Sequence, residues 1–281
     1  MLAPDGFRPH DPASDSSLAD ATPQLRADVL RVWPHVRVLH EAASPSLHGR
    51  EVPAFELKFL LDEATAGEVE ARLRPALSLD PHGSSACGGG YQLATLYFDT
   101  QRLDMYRRVG RHKFFKCRLR RYDGADRIYL ERKSKRGDRV HKRRSAIDLD
   151  QLSCFAQPNS ANEWAGDWYQ RQLVRHELQP VCLIEYRRIA YFAARGEGPV
   201  RLTFDREIRG GLTADWSFAA PHQRQRLLAN FVVCEFKFRG SLPASFKTVL
   251  HDLQLAPQGV SKYRQCMMAS GAAGNGSADH A

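Results

Sequence analysis

No apolar run in this chain of 281 residues approaches the length of a membrane-spanning helix. None of its six cysteines forms a CxxC pair; Cys87, Cys117, Cys154, Cys182, Cys234 and Cys266 lie far apart, which excludes a zinc ribbon and argues against a disulfide framework. Reduced, buried thiols are expected instead. No internal repeat is present, so a repeat array is excluded. The first residues, MLAPDGFRPHDPASDSSLADATPQ, lack a basic segment followed by an apolar one, and the expected location is the cytoplasm. Helix-turn-helix, zinc-finger and aromatic-rich single-strand motifs are also missing, and no nucleic-acid partner is expected.

What the chain does have is an excess of cations. Lys and Arg number 41 against 32 Asp and Glu, a formal net charge of +9, which points to an anionic partner. Hydrophobic content of 43% is enough to bury a sizeable core. Residues 1–22 and 269–281, rich in small and polar residues, read as disordered, 23–51 as an extension, and 52–268 as one folded domain. A helix is predicted from Asp62, with Ala66, Val69 and Leu73 on its apolar stripe, ending before Pro75. A second carries Phe246, Val249, Leu250 and Leu253 and stops before Pro257, and a weaker third spans Glu163 to Leu173.

Between these lies strand after strand. FFKCRLRRYDGADRIYLERKSK, residues 114–135, reads as a hairpin turning at Asp123 and Gly124. Residues two apart share a face, so Lys116, Arg118 and Arg120 oppose Phe115, Cys117 and Leu119, and Tyr129, Glu131 and Lys133 oppose Ile128 and Leu130. Glu56 with Lys58, Glu185 with Arg187, Arg201 with Thr203 and Asp205, and Glu235 with Lys237 and Arg239 repeat the pattern. A solvated outer face would show it too. The recurrence of Arg and of Glu-x-Lys steps favours an α+β, β-dominated domain: a closed antiparallel β-barrel with a polar interior and flanking helices. Burying unpaired cations costs several kcal/mol each, so such an interior needs carboxylates, water and an anionic ligand, which a linear chain of phosphates supplies.

Glu56-Leu57-Lys58, TLYFDT at 95–100, Lys116 to Arg120, Leu130 to Lys133, His141 to Arg144, Tyr186-Arg187-Arg188, Val200 to Asp205, Cys234 to Lys237 and Ser261-Lys262-Tyr263 together resemble the vacuolar transporter chaperone (VTC) domain, the polyphosphate polymerase branch of the triphosphate tunnel metalloenzymes. The resemblance covers roughly residues 52–267 and rests on the order of the motifs. It implies a tunnel that transfers the γ-phosphate of ATP to a growing polyphosphate chain with Mn²⁺ or Mg²⁺, with ATP and polyphosphate or pyrophosphate as partners. It also implies catalytic cations Lys58, Arg118, Arg120 and Lys133, phosphate contacts from Lys142, Arg144, Arg187, Arg201, Lys237 and Lys262, and metal ligands Glu235, Glu131 and Glu56. A membrane-protein partner is a further implication. The hydrolase and cyclase branches typically open with Glu-x-Glu-x-Lys, whereas here the first position is Ala54, one carboxylate fewer.

Alternatives stand beside these assignments. Glu56, Glu131 and Glu185 read equally as countercharges that keep cations apart. Strand parity across Gly137 leaves open which of Lys142, Arg143 and Arg144 face the ligand; His141 is given no specific role, Asp99 or Thr100 a turn-capping one, and Trp164 and Trp168 a place in the core. Two other activities remain: a tunnel hydrolase of tripolyphosphate or nucleoside triphosphates, and a non-catalytic polyphosphate-binding module.

Overall fold

The structure, a computed structural model, describes residues 37–39, 54–81, 83, 88–136, 139–156, 164–193 and 200–272. Cys87, Glu163, the turn at Gly137, the segment 1–22 and all of the extension 23–51 but 37–39 lie outside the described residues; of the tail expected to be disordered at 269–281, residues 269–272 are described and Ala269 closes a helix, which corrects that boundary. Eleven strands form one antiparallel sheet: β1 Arg37–Leu39, β2 Ala54–Leu61, β3 Ser78–Leu79, β4 Tyr91–Asp99, β5 Phe115–Tyr122, β6 Arg127–Arg136, β7 Arg139–Asp148, β8 Gln179–Ala193, β9 Val200–Leu212, β10 Gln225–Arg226 and β11 Val232–Arg239. The order is β1-β2-β11-β9-β8-β4-β5-β6-β7, with β10 on β9 and β3 on β8. Among the described residues the α-helices are α1 Glu63–Leu73, α2 Asp104–Arg107, α3 Asp167–Arg175, α4 Ala244–Asp252 and α5 Lys262–Ala269.

The expected closed barrel is corrected. Among the described residues no ladder joins β7 to β1 or β2, and the sheet is an open path. It is nevertheless strongly curled. Lys133 on β6 acts electrostatically on Glu56 of β2, six places away in the strand order; in a flat sheet at roughly 4.8 Å per strand they would stand about 29 Å apart. Alternation of side chains reports which face is polar but not whether the two edge strands meet, so a deep trough and a closed tunnel leave the same pattern in the sequence.

Local chemistry accounts for the elements. Asp62 caps α1, its Oδ1 accepting from the Thr65 amide at 2.7 Å, and Ala66, Val69 and Leu73 are buried as their spacing predicts. Asp123 and Gly124 turn the β5–β6 hairpin with φ of 45° and 68°. α1 and α4 cover one half of the convex face over Leu57, Phe59, Leu202, Phe204 and Phe236. α3 covers the other, where Trp168 and Tyr169 pack on Cys117, Leu119, Ile128 and Leu130. Trp164 packs partly buried against that same cluster, as a core role requires. α3 begins at Asp167, later than its sequence pattern suggests. α2 and α5 were not anticipated; each is too short for a helical period to stand out.

α5 matters most for function. It lies against the concave face, Tyr263, Cys266 and Met267 packing with Leu93, Cys182, Ile184 and Val233. Gly210 on β9 permits this approach, since a Cβ there would meet Cys266 Sγ at 3.1 Å. Asp99 ties the helix down. Its Oδ2 accepts from the Tyr263 hydroxyl at 2.5 Å and from the Tyr106 amide at 2.9 Å, and its Oδ1 from the amides of Thr100 and Met105. The described cysteines are all free, and burial pushes the Cys117 thiol up to about 12.

Candidate phosphate-binding groove

The ladders fix which side chains share the concave face. Glu56 and Lys58 of β2 lie opposite Lys237 and Glu235 of β11, which lie opposite Arg201 and Thr203 of β9. Asp205 of β9 pairs with Arg188 of β8, then Tyr91, Leu93, Thr95 and Tyr97 of β4 lead to Tyr122, Arg120 and Arg118 of β5. Arg118 faces Glu131 of β6, which faces Arg144 of β7. Lys116, Lys133 and Lys142 stand directly opposite one another on three adjacent strands. Like charges in that position repel, so the row favours an anion laid across it.

Three carboxylate centres organise the cations. The first is Asp205, 2% exposed: Arg188 donates to both its oxygens at 2.5 and 2.8 Å and Lys262, the first residue of α5, donates to Oδ2 at 2.5 Å. Burial works against its ionisation, but Arg188 and Lys262 outweigh it and hold the carboxyl well below the usual range. Glu131 is the second. It takes Arg118 Nε at 2.6 Å, Arg144 Nε at 3.5 Å and Arg120 Nη1 at 3.7 Å, and against the cost of burial these guanidiniums lower it to about 2.

The third is a pair. Lys58 Nζ sits 2.9 Å from Glu56 and 3.0 Å from Glu235, while Lys237 reaches Glu235 Oε1 at 2.5 Å as an ion pair outside hydrogen-bonding angles. Burial and the neighbouring Glu235 charge raise Glu56, yet Lys58, Lys237 and Lys133 bring it down to about 2. Among the described residues no group of three or more His, Cys, Asp or Glu side chains could hold a metal ion. Two carboxylates converging on one cationic position do fit a Mg²⁺-type ion, which commonly takes one or two carboxylates and completes its shell with water and substrate phosphate. Glu131 does not fit that role, because guanidiniums occupy its surroundings.

Arg187 is the expected site residue that the structure places elsewhere. It pairs with Arg206 on the opposite face, and its Nε donates to Glu207 at 3.2 Å. Its neighbour Arg188 faces the groove. Adjacent residues of a strand point to opposite sides, and the choice within Tyr186-Arg187-Arg188 rests on the ladder, where Glu207 (φ 54°) bulges out of β9. Arg143 likewise lies outward, over the Trp168 ring at 4.2 Å, leaving Lys142 and Arg144 on the groove side. Arg201 stands at the groove edge, donating to Asp80 at 2.8 Å and to the Tyr91 hydroxyl at 3.2 Å.

Sequence reasoning missed Tyr186 as well as Arg188. Lys262 lies 4.6 Å over the Tyr186 ring; burial raises its phenol, but Arg120, Arg188 and Lys262 prevail and lower it. Arg120 Nε, Thr95 Oγ1 and Thr203 Oγ1 are buried on this face with no hydrogen-bond partner among the described residues. Buried polar atoms seldom go unpaired in a folded protein except where something else meets them.

A curled antiparallel sheet with cations and carboxylates lining its concave face defines a cation-rich groove protein. The VTC domain family model matches residues 54–270, and the chain belongs to that family. Solved structures to which the chain is similar include a Hippeastrum protein named as an adenylyl cyclase with a dominant triphosphatase activity (16% identity, TM-score 0.44, covering 76% of this chain and 95% of that one). A Bacillus halodurans protein named as an adenylate cyclase follows (11%, 0.43, 73% and 92%), as does the PH1819 protein of Pyrococcus horikoshii (14%, 0.41, 77% and 98%). No curated protein matches the chain. No described helix is long and apolar enough to cross a membrane.

Proposed function

We propose that this chain is an ATP-dependent polyphosphate polymerase, transferring the γ-phosphate of ATP to the end of a polyphosphate chain, or to pyrophosphate at the start, within the groove. The observation that carries this reading is the state of the groove carboxylates: Glu56, Glu131, Asp205 and Glu235 are all ion-paired and held ionised below the usual range. Such groups are poor general bases at neutral pH. A polyphosphate end is already an anionic nucleophile and needs no base, whereas hydrolysis requires a water activated by a base or by a metal.

The residues then divide the work. Arg118, Arg120, Arg188, Lys58 and Lys262 grip the phosphates in line and absorb the charge that develops on transfer. Lys116, Lys133 and Lys142 extend the grip to the acceptor chain. Glu56 and Glu235 would hold Mn²⁺ or Mg²⁺, Lys58 moving its ammonium from between them to a phosphate oxygen; the metal would supply charge neutralisation on the transferring phosphoryl group.

The test is incubation of the purified chain with ATP and Mn²⁺ or Mg²⁺, following free phosphate and long polyphosphate on a gel. Long chains that disappear with Arg118→Ala, Glu235→Ala or chelator are expected. Free phosphate without chain growth would replace this reading by a hydrolase, and tight binding without turnover by a binding module.

A further inference from the structure

Above the layer of Arg118 and Arg120 the groove face turns aromatic. Tyr122 is the next residue on that face after Arg120, and Tyr129 the one before Glu131. Both are half-buried beside the β5–β6 turn, with their rings 5.4 Å apart and nearly perpendicular. Tyr91 continues the row, 5.7 Å from Tyr122. Arg144 sits over Tyr129 in this setting: its guanidinium carbon is 3.8 Å from the centre of the Tyr129 ring, its Nη2 donates to the Tyr122 hydroxyl at 3.3 Å, and Glu131 holds its Nε at 3.5 Å. Backed by the ring and held through Nη2 and Nε, the side chain is still 49% exposed, so part of the guanidinium group is open to solvent.

A planar cation with one face covered by an aromatic ring offers the second face to another π-system. Two residues along a strand span roughly 6.6 Å, so this platform stands about one sugar away from the cations that would hold a phosphate chain.

We propose that Arg144, backed by Tyr129 and flanked by Tyr122, is the seat of the heteroaromatic base of a nucleoside triphosphate. The seat rests on the reading of the groove as a triphosphate site, and it makes the chain prefer a nucleotide over inorganic tripolyphosphate as the occupant of that site. Stacking tolerates any base, so the preference is for nucleotides as a class, purines ahead of pyrimidines by their larger ring area.

Calorimetric titration with a non-hydrolysable imido analogue of ATP and, separately, with inorganic tripolyphosphate gives two Kd values for each variant. Tyr129→Leu and Arg144→Lys, the second keeping the charge but not the plane, are each expected to raise the ratio of the analogue's Kd to that of tripolyphosphate about tenfold. A ratio unchanged within about twofold in both variants, with circular dichroism showing them folded, would overturn the seat while the groove reading stands. A shifted ratio in a chain that makes no polyphosphate supports the seat and overturns the polymerase. If the unmutated chain binds neither ligand, both readings fall.

Discussion

Replacing Asp205 by Asn keeps the shape of a side chain that is 2% exposed while removing its charge from between Arg188 and Lys262. Three donated hydrogen bonds then meet one oxygen and an NH₂ group that cannot accept them, and two cations lose the charge that made their burial tolerable. Breaking a buried ion pair from one side costs about 3–5 kcal/mol, a large part of the roughly 5–15 kcal/mol that holds a domain together. Urea melts followed by far-UV circular dichroism should show the midpoint falling accordingly. Tripolyphosphate should then rescue the variant more than the wild type, because phosphate oxygens take the place of the missing carboxylate; at a hundred times its Kd a ligand adds about 2.7 kcal/mol. A loss below about 1 kcal/mol would refute the claim that Asp205 holds these cations, and equal stabilisation of both proteins would refute the claim that phosphate shares them.

Other consequences follow from the same geometry. Arg188→Ala should lower kcat/KM for polyphosphate synthesis about 10- to 100-fold, the value of one charge-assisted phosphate contact, while Arg187→Ala on the opposite face should stay within about threefold of wild type; equal losses would contradict the face assignment. Glu131 titrates lower in the folded chain, about 2, than its ordinary 4.5. Its contribution is therefore complete above pH 4.5 and lost as pH falls towards 2, on the order of 3 kcal/mol, so the gap in urea midpoint between wild type and Glu131→Gln should close across that window. Tyr263→Phe removes the bond to Asp99 and should cost about 1–3 kcal/mol in thermal or urea melts by leaving a buried acceptor short of a partner.

Much of this site was legible because strands write their faces at a period of two. Arg118, Arg120, Glu131, Lys133, Lys58 and Glu235 share one face of the sheet, as alternation put them, and the helices at Asp62 and Phe246 followed from a cap and a spacing. Alternation is silent on pairing. It could not say that Arg188 rather than Arg187 lies opposite Asp205, nor that β7 fails to meet β1 and β2. α5 was hidden for another reason: it spans only the eight residues Lys262–Ala269, and its place is set by Asp99 and Gly210, far away in sequence.

The arrangement of charge also explains how a face so rich in cations can fold. Each carboxylate is shared: Glu131 among Arg118, Arg120 and Arg144, Asp205 between Arg188 and Lys262, Glu235 between Lys58 and Lys237. Sharing keeps each cation near a counterion, which offsets the cost of desolvation, yet leaves positive charge in excess on that face. On the proposed function, it also points the donors inward ahead of a phosphate chain, so little reorganisation would be left for the moment of transfer. A fully matched set of ion pairs would have made a more stable sheet and a weaker site. The excess of Lys and Arg seen in the composition is, in part, the excess that this face retains.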